Sequence, residues 1–197
     1  MVDKISVPSA NFKVKVENVV AFASLGRGIE LSKVSAKLKD AEYAPESFPG
    51  VVYRIADPKA VTLIFSSGKI VCTGTRSIDK AHEAMKNVVG DIRELGIRLP
   101  QDYDIIIENI VASTQIETET RLNLENISFA LDNVEYEPEQ FPGLVCRISE
   151  PRVAFLLFSS GKIICTGARN IDDMHRALDK LKEKLESIGI EVNPTTA

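Results

Sequence analysis

The side chains best equipped for chemistry in this sequence are two phenylalanine pairs and a recurring set of cations. Phe48 and Phe65 bracket the stretch 49–64, and Phe141 and Phe158 bracket the matching stretch 142–157. Around the first pair stand Arg54, Lys59, Lys69 and Arg76; around the second stand Arg147, Arg152, Lys162 and Arg169. Guanidinium and ammonium groups repeated in this way suit contact with phosphate oxygens, although a solvated rim preserved by descent from one ancestral copy gives the same pattern. A single phenylalanine is most often core. Two matched pairs, each beside a turn at the end of an apolar strand, read instead as wedges.

Other chemistry is poorly supported. Cys72, Cys146 and Cys165 form an odd set without CxxC spacing, and His82 and His175 are the only histidines. Thiols inside Val/Ile-rich strands behave as small buried hydrophobes. The histidines fall at equivalent helical positions, which suits packing or surface roles. No nucleophile and base are spaced as a pair, and no phosphate-binding glycine loop is present. We therefore expect no enzyme, no cofactor and no metal.

The elements that must hold these side chains come in duplicate. EYAPESFPGVVYRIADPKAVTLIFSSGKIVCTGTRSID at 42–79 recurs as EYEPEQFPGLVCRISEPRVAFLLFSSGKIICTGARNID at 135–172, an offset of 93 residues. Upstream, VENVVA at 16–21 recurs as IENIVA at 107–112. Two copies of this length are too few and too long for a solenoid. The expected organisation is an arm at 1–10, a first repeat at 11–99, a second at 100–191 and a tail at 192–197. Each copy reads as a strand (12–22; 103–113), a short helix (30–40; 123–132), three strands and a long helix. The long helices start at the N-caps Ser77 and Asn170 and stop at Gly96 and Gly189. The fold class is α+β, with helices on one face of an antiparallel sheet.

If helices cover one face, strand alternation leaves Val20, Leu63, Val71, Val111, Leu156 and Ile164 on the other. Such a face serves a partner, a second copy of the chain or a covering layer equally well. In the hairpin, pairing of 51–55 with 61–65 sets residue 65 opposite residue 51 and brings Phe48 to Phe65. The net charge of −4 argues against a polyanion partner unless the acids lie away from the contact face. No apolar run approaches the ~20 residues that cross a bilayer, and MVDKISVPSA lacks a secretory pattern, so an intracellular protein is expected.

FPGVVYRI…LIFSSGKIVCTG and FPGLVCRI…LLFSSGKIICTG, with ENVV and ENIV upstream, resemble both halves of the TATA-box-binding protein family along nearly the whole chain. The short segment before the first copy resembles the archaeal form. The resemblance implies a pseudo-twofold saddle whose curved antiparallel sheet meets the DNA minor groove and whose helices lie on the convex face. It also implies a general transcription initiation factor that bends TATA-box DNA. In that scheme Phe48, Phe65, Phe141 and Phe158 intercalate, and Val20, Leu63, Val71, Val111, Leu156 and Ile164 meet the groove floor. Asn18, Asn109, Thr73 and Thr166 match the family's polar groove contacts. Glu137 and Glu139 match the loop that receives transcription factor B, through which RNA polymerase is recruited. Ser47 and Gln140 depart from the family's basic residue and leucine. A cytoplasmic, nucleoid-associated location follows, and the uncovered sheet face of the DNA-free protein is expected to form a homodimer. The alternative reading is a homodimeric protein-interaction module without DNA specificity.

Overall fold

The computed structural model describes residues 12–117 and 120–194. The expected arm at 1–10 and the end of the expected tail lie outside the described residues. The described backbone divides into two units, one of Val16–Asn109 and one of residues 110–117 and 120–194 together with 12–15.

In the first unit the elements are β1 (Lys15–Ser24), α1 (Leu31–Lys37), β2 (Ala41–Tyr43), β3 (Gly50–Ile55), β4 (Ala60–Phe65), β5 (Lys69–Thr75) and α2 (Ile78–Glu94). The second copy repeats the order with β6 (Ile105–Glu117), whose first five residues count with the first unit, α3 (Leu124–Ala130), β7 (Val134–Glu135), β8 (Leu144–Ile148), β9 (Val153–Leu157), β10 (Lys162–Ala168) and α4 (Ile171–Ser187), and adds β11 (Asn193–Pro194). The strands run antiparallel in the orders β2-β3-β4-β5-β1 and β7-β8-β9-β10-β6, with β11 on the far side of β6. Four strands, not three, lie between the helices of each copy. β2 and β7 are too short to show a period.

Strand alternation divides each sheet into a covered and an open face. In β4, Ala60, Thr62 and Ile64 are buried while Val61, Leu63 and Phe65 are half-buried. α2 packs on β4 and β5 through Ala81, Ala84, Met85, Val88, Val89 and Ile92, and α4 packs on β8 and β10 through Met174, Ala177, Leu178, Leu181 and Leu185. This spacing is one face of a 3.6-residue period, and each large side chain fully buried there contributes about 1.5–3 kcal/mol. Ser77 Oγ accepts from the Lys80 amide at 3.2 Å, and Asn170 Oδ1 accepts from the Asp173 amide at 2.7 Å. Gly96 and Gly189 follow the helices with φ of 78° and 83°, a left-handed turn that glycine adopts without steric cost.

The β3–β4 register differs from expectation by one residue: Val51 faces Ile64, and Gly50 faces Phe65. Directly opposed residues share a face, and Val51 and Ile64 are both fully buried on the helix side. Pairing Val51 with Phe65 would have set a core residue across from an open-face one. The first strand of each copy is also shifted, to Lys15–Ser24 and Ile105–Glu117, and Phe12 is buried outside any strand. α1 and α3 are shorter than expected, with Glu30 and Asn123 as caps.

β1 and β5 meet through a bulge, the register jumping from Ala21↔Cys72 to Val19↔Thr75. β6 and β10 have the same bulge between Ala112↔Cys165 and Ile110↔Ala168. The extra residue on β5 and β10 includes Gly74 and Gly167, at φ of 94° and 105°.

Candidate nucleic-acid interface

On the open face of the first unit, Val52, Leu63, Val71 and Phe22 line up across β3, β4, β5 and β1. The next row holds Arg54, Val61 and Thr73. The second unit repeats these rows as Val145, Leu156, Ile164 and Ser113, then Arg147, Ala154 and Thr166. Val20, Leu63, Val71, Val111, Leu156 and Ile164 are half-buried; Leu63, Val71, Leu156 and Ile164 stand within these rows, and Val20 and Val111 fall at the register shifts of β1 and β6. Val52, Val61, Val145 and Ala154 were missed from sequence, although the same alternation points to them. Phe22 was missed too; it alternates with Val20 and has Ser113 as its counterpart.

Phe48 follows the loop after β2, and Phe65 closes β4. Their centroids are 5.7 Å apart with planes at 62°, and those of Phe141 and Phe158 are 5.9 Å apart at 66°. Edge-to-face packing holds each ring against its partner. Gly50 makes room for the first pair: a Cβ there would lie 2.9 Å from Phe48 Cε1 and 3.3 Å from Phe65 Cδ1. At Gly143 the nearest ring atom, Phe141 Cε1, would be 2.7 Å away. Phe141 is 39% exposed, a high value for an aromatic with a packed partner.

The bulge of the first unit orients Asn18. Its Oδ1 accepts from the Gly74 amide at 2.8 Å and from Thr73 Oγ1 at 3.2 Å, while its Nδ2 donates to Thr73 Oγ1 at 3.0 Å. A backbone N–H can only donate, so it fixes which end of the amide is oxygen and leaves the NH₂ as the group that can reach outward. Asn109 and Thr166 are half-buried on β6 and β10.

All eight predicted cations are exposed. Arg54 and Arg147 stand on the open face; Lys59 and Arg152 lie in the hairpin turns; Lys69 and Lys162 open β5 and β10, and Arg76 and Arg169 follow them. Lys69 Nζ lies 4.8 Å from the Phe22 ring centroid, a cation–π distance. Arg54 is paired with Glu42 and Arg147 with Glu135. Glu137 and Glu139 are exposed in the loop before Phe141, and the Glu137 carboxylate accepts from the Gln140 side chain.

The three thiols are buried and free. Desolvation pushes Cys72 up to about 11 and Cys165 up to about 12, and raises Cys146 despite the nearby Lys184. They are therefore neutral at physiological pH and poor nucleophiles. His82 and His175 are half-buried on α2 and α4. Among the described residues, no cluster of His, Cys, Asp or Glu could hold a metal ion, and no helix is long and apolar enough to cross a membrane.

A family model described as transcription factor TFIID (or TATA-binding protein, TBP) matches residues 13–95 and 104–188. The chain is 44% identical over 180 residues to the TATA-box-binding protein of Archaeoglobus fulgidus, covering 91% of this chain and 98% of that protein. It is 49% identical over 177 residues to TATA-box-binding protein B of Halobacterium salinarum, covering 90% and 95%. Among solved structures, Methanococcus jannaschii TBP matches with a TM-score of 0.81 and 40% identity, over 89% of this chain and 99% of that one.

Proposed function

The chain belongs to the TATA-binding protein family, one of transcription factors and not of enzymes, and on that premise we propose that it is a general transcription initiation factor that binds and bends TATA-box DNA from the minor groove. The observation that carries this reading is the pair of edge-to-face phenylalanines at the end of each open apolar face. Rings held in this way are wedges prepared in advance: inserted between base steps, they unstack them and kink the duplex. Phe48 and Phe65 act at one end of the element, Phe141 and Phe158 at the other.

Between the wedges, Val20, Leu63, Val71, Val111, Leu156 and Ile164 press on the groove floor. Asn18 and Asn109, with Thr73 and Thr166, donate to A N3 and T O2, the Thr73 hydroxyl turning away from Asn18 Oδ1 to do so; A·T and T·A pairs present these acceptors almost alike. Direct readout therefore separates A·T from G·C but hardly A·T from T·A. The remaining specificity comes from deformation, because pyrimidine–purine steps such as TA unstack cheaply. The eight cations contact phosphates and give binding its salt dependence. They do so on a chain of net charge −4.

Glu137 and Glu139 receive transcription factor B, which brings RNA polymerase to the promoter, in the cytoplasm at the nucleoid. Without DNA, the half-buried valines, leucines and isoleucines of the open faces favour a homodimer that DNA displaces.

The test is a fluorescence bending assay on matched TATA and GC-rich duplexes. A bend on TATA DNA that disappears in Phe48→Ala/Phe65→Ala supports the reading. Equal affinity for both duplexes sinks it. If sedimentation finds the dimer unchanged by saturating TATA DNA, the DNA face and the dimer face are not the same surface, and a homodimer through the open faces is ruled out.

A further inference from the structure

Phe129 is 83% exposed on α3, far more than the other large apolar residues on the surface, Ile106 at 44% and Phe141 at 39%. It does not belong to the open sheet face. It borders a groove of about 480 Å³ between α3 and the loop after β7, lined by Leu122, Leu124, Tyr136 and Pro138. That loop carries Glu137 and Glu139, and Glu125 of α3 lines the same groove. An aromatic ring left in water beside a groove that Asn123, Ser128 and Ser159 line together with the leucines, Tyr136 and Pro138 has no structural use in this unit, whose core is closed beneath α3 by Leu124 and Ile127.

The first copy keeps Leu31, Tyr43, Pro45 and Glu46 at the places of Leu124, Tyr136, Pro138 and Glu139, but lacks the ring and two of the acids. Ala36 stands where the second has Phe129, Ala44 where it has Glu137, and Ser32 where it has Glu125. Charge separates the copies further. Residues 30–47 include Lys33, Lys37 and Lys39 among their acids, whereas 123–140 hold Glu125, Asp132, Glu135, Glu137 and Glu139 with no lysine or arginine. Apart from Phe22 against Ser113 and Val61 against Ala154, the open-face rows keep their character between copies, so the loss of charge balance around α3 marks a surface used by only one of them.

We infer that Phe129 is the apolar anchor of a protein-docking surface formed by α3 and the acidic loop, and that its occupant is a basic protein face with an apolar pocket for the ring and lysine or arginine at its rim. The inference rests on the reading that the Glu137/Glu139 loop receives transcription factor B, and it makes that factor the bearer of the basic face. A buried aromatic anchor within a charged rim is the usual composition of a binding hot spot. The acids of the rim govern the rate and salt dependence of association, and Phe129 governs residence time.

The experiment measures the affinity of transcription factor B for the full chain bound to a labelled TATA duplex. Four variants are compared with the parent: Phe129→Ala, Phe129→Leu, Glu137→Lys/Glu139→Lys, and Ala36→Phe as a positional control. Phe129→Ala is expected to weaken the factor about thirtyfold, in the range of hot-spot truncations, with DNA affinity, bend and melting temperature unchanged. Phe129→Leu should recover most of the loss, and Ala36→Phe should do nothing. If the double loop variant abolishes recruitment while Phe129→Ala stays within about twofold of the parent, the loop reading stands and the anchor is overturned. If both variants recruit normally, both fall. If Phe129→Ala weakens DNA binding itself, the patch belongs to another surface and the inference is wrong.

Discussion

Arg54 Nη1 lies 3.1 Å from Glu42 Oε1 on the open face of the first sheet, and Arg147 Nη2 lies 3.3 Å from Glu135 Oε2 at the equivalent place in the second. Each of these two cations proposed to meet phosphate is thus held by an acid of the neighbouring edge strand, and docking as proposed exchanges one partner for the other. Both pairs are more than half exposed, so each is worth at most ~1 kcal/mol and is weakened by salt. Glu42→Gln and Glu135→Gln are expected to tighten TATA binding by up to about fivefold each at low salt, the gain shrinking as salt rises. Anisotropy titrations across a salt series measure this. Equal affinities for parent and variants would show that these acids do not compete with phosphate for the arginines.

Asn18 supplies a sharper separation of fold from function. Its Oδ1 serves the bulge by accepting from Gly74 and Thr73, and its Nδ2 is the group proposed to face the groove. Asn18→Asp keeps the acceptor, so the melting temperature should stay near that of the parent. It removes the donor and adds a negative charge facing DNA, and binding should fall at least about tenfold, as expected for loss of a charge-opposed base contact. A variant that melts normally and binds normally would remove Asn18 from the interface.

Much of the fold and of the candidate interface is legible in the sequence because the chain states it twice. Alternation in IVCTG and IICTG divides open from covered residues, and the caps Ser77 and Asn170 with Gly96 and Gly189 bound the long helices. What escapes depends on tertiary context. β2 and β7 exist only as partners of β3 and β8. The Val51↔Ile64 register follows from which residues the helix covers, which turn length alone does not fix. The Asn18–Gly74 bond spans 56 residues and leaves no local pattern. Gly50 reads as an ordinary turn residue after proline until two phenylalanine rings are seen to occupy the space of its missing Cβ.

That space yields a test of the wedges which leaves both rings in place. Gly50→Ala puts a methyl 2.9 Å from the Phe48 ring, and Gly143→Ala one 2.7 Å from the Phe141 ring. The rings must turn, and stacking geometry is lost at the point where base steps are to be opened. At Gly143 the three nearest atoms all belong to rings, and a smaller bend with little change in melting temperature is expected; at Gly50 the methyl also comes 3.1 Å from the Ile64 carbonyl oxygen, so the smaller bend comes with a lower melting temperature. Gly90→Ala is the contrast, since nothing lies within 4 Å of a Cβ at that helix-interior position. It should stabilise the chain by up to about 1 kcal/mol and leave the bend alone. If all three variants bend DNA like the parent, ring placement is not what bends it.

The buried thiols predict how the fold responds to alkali. In the folded chain desolvation holds Cys72 near 11 and Cys165 near 12, against 9.0 for an exposed thiol, and raises Cys146 as well. Tyr53 moves from 10.0 to about 12, chiefly through burial and also because its hydroxyl donates to Asp91 at 2.9 Å. Below pH 9 these groups are protonated in folded and unfolded chains alike and stability does not depend on them. Above it the unfolded chain releases protons that the folded chain retains, so the unfolded state gains and stability falls as pH climbs from about 9 toward 12. Urea midpoints taken through that range should drop steadily. Replacing Cys72 and Cys165 by alanine should lower the midpoint at neutral pH, because methyl-sized cavities open in the core, yet make the alkaline decline shallower. An equally steep decline in the double variant would mean that the thiols do not govern it.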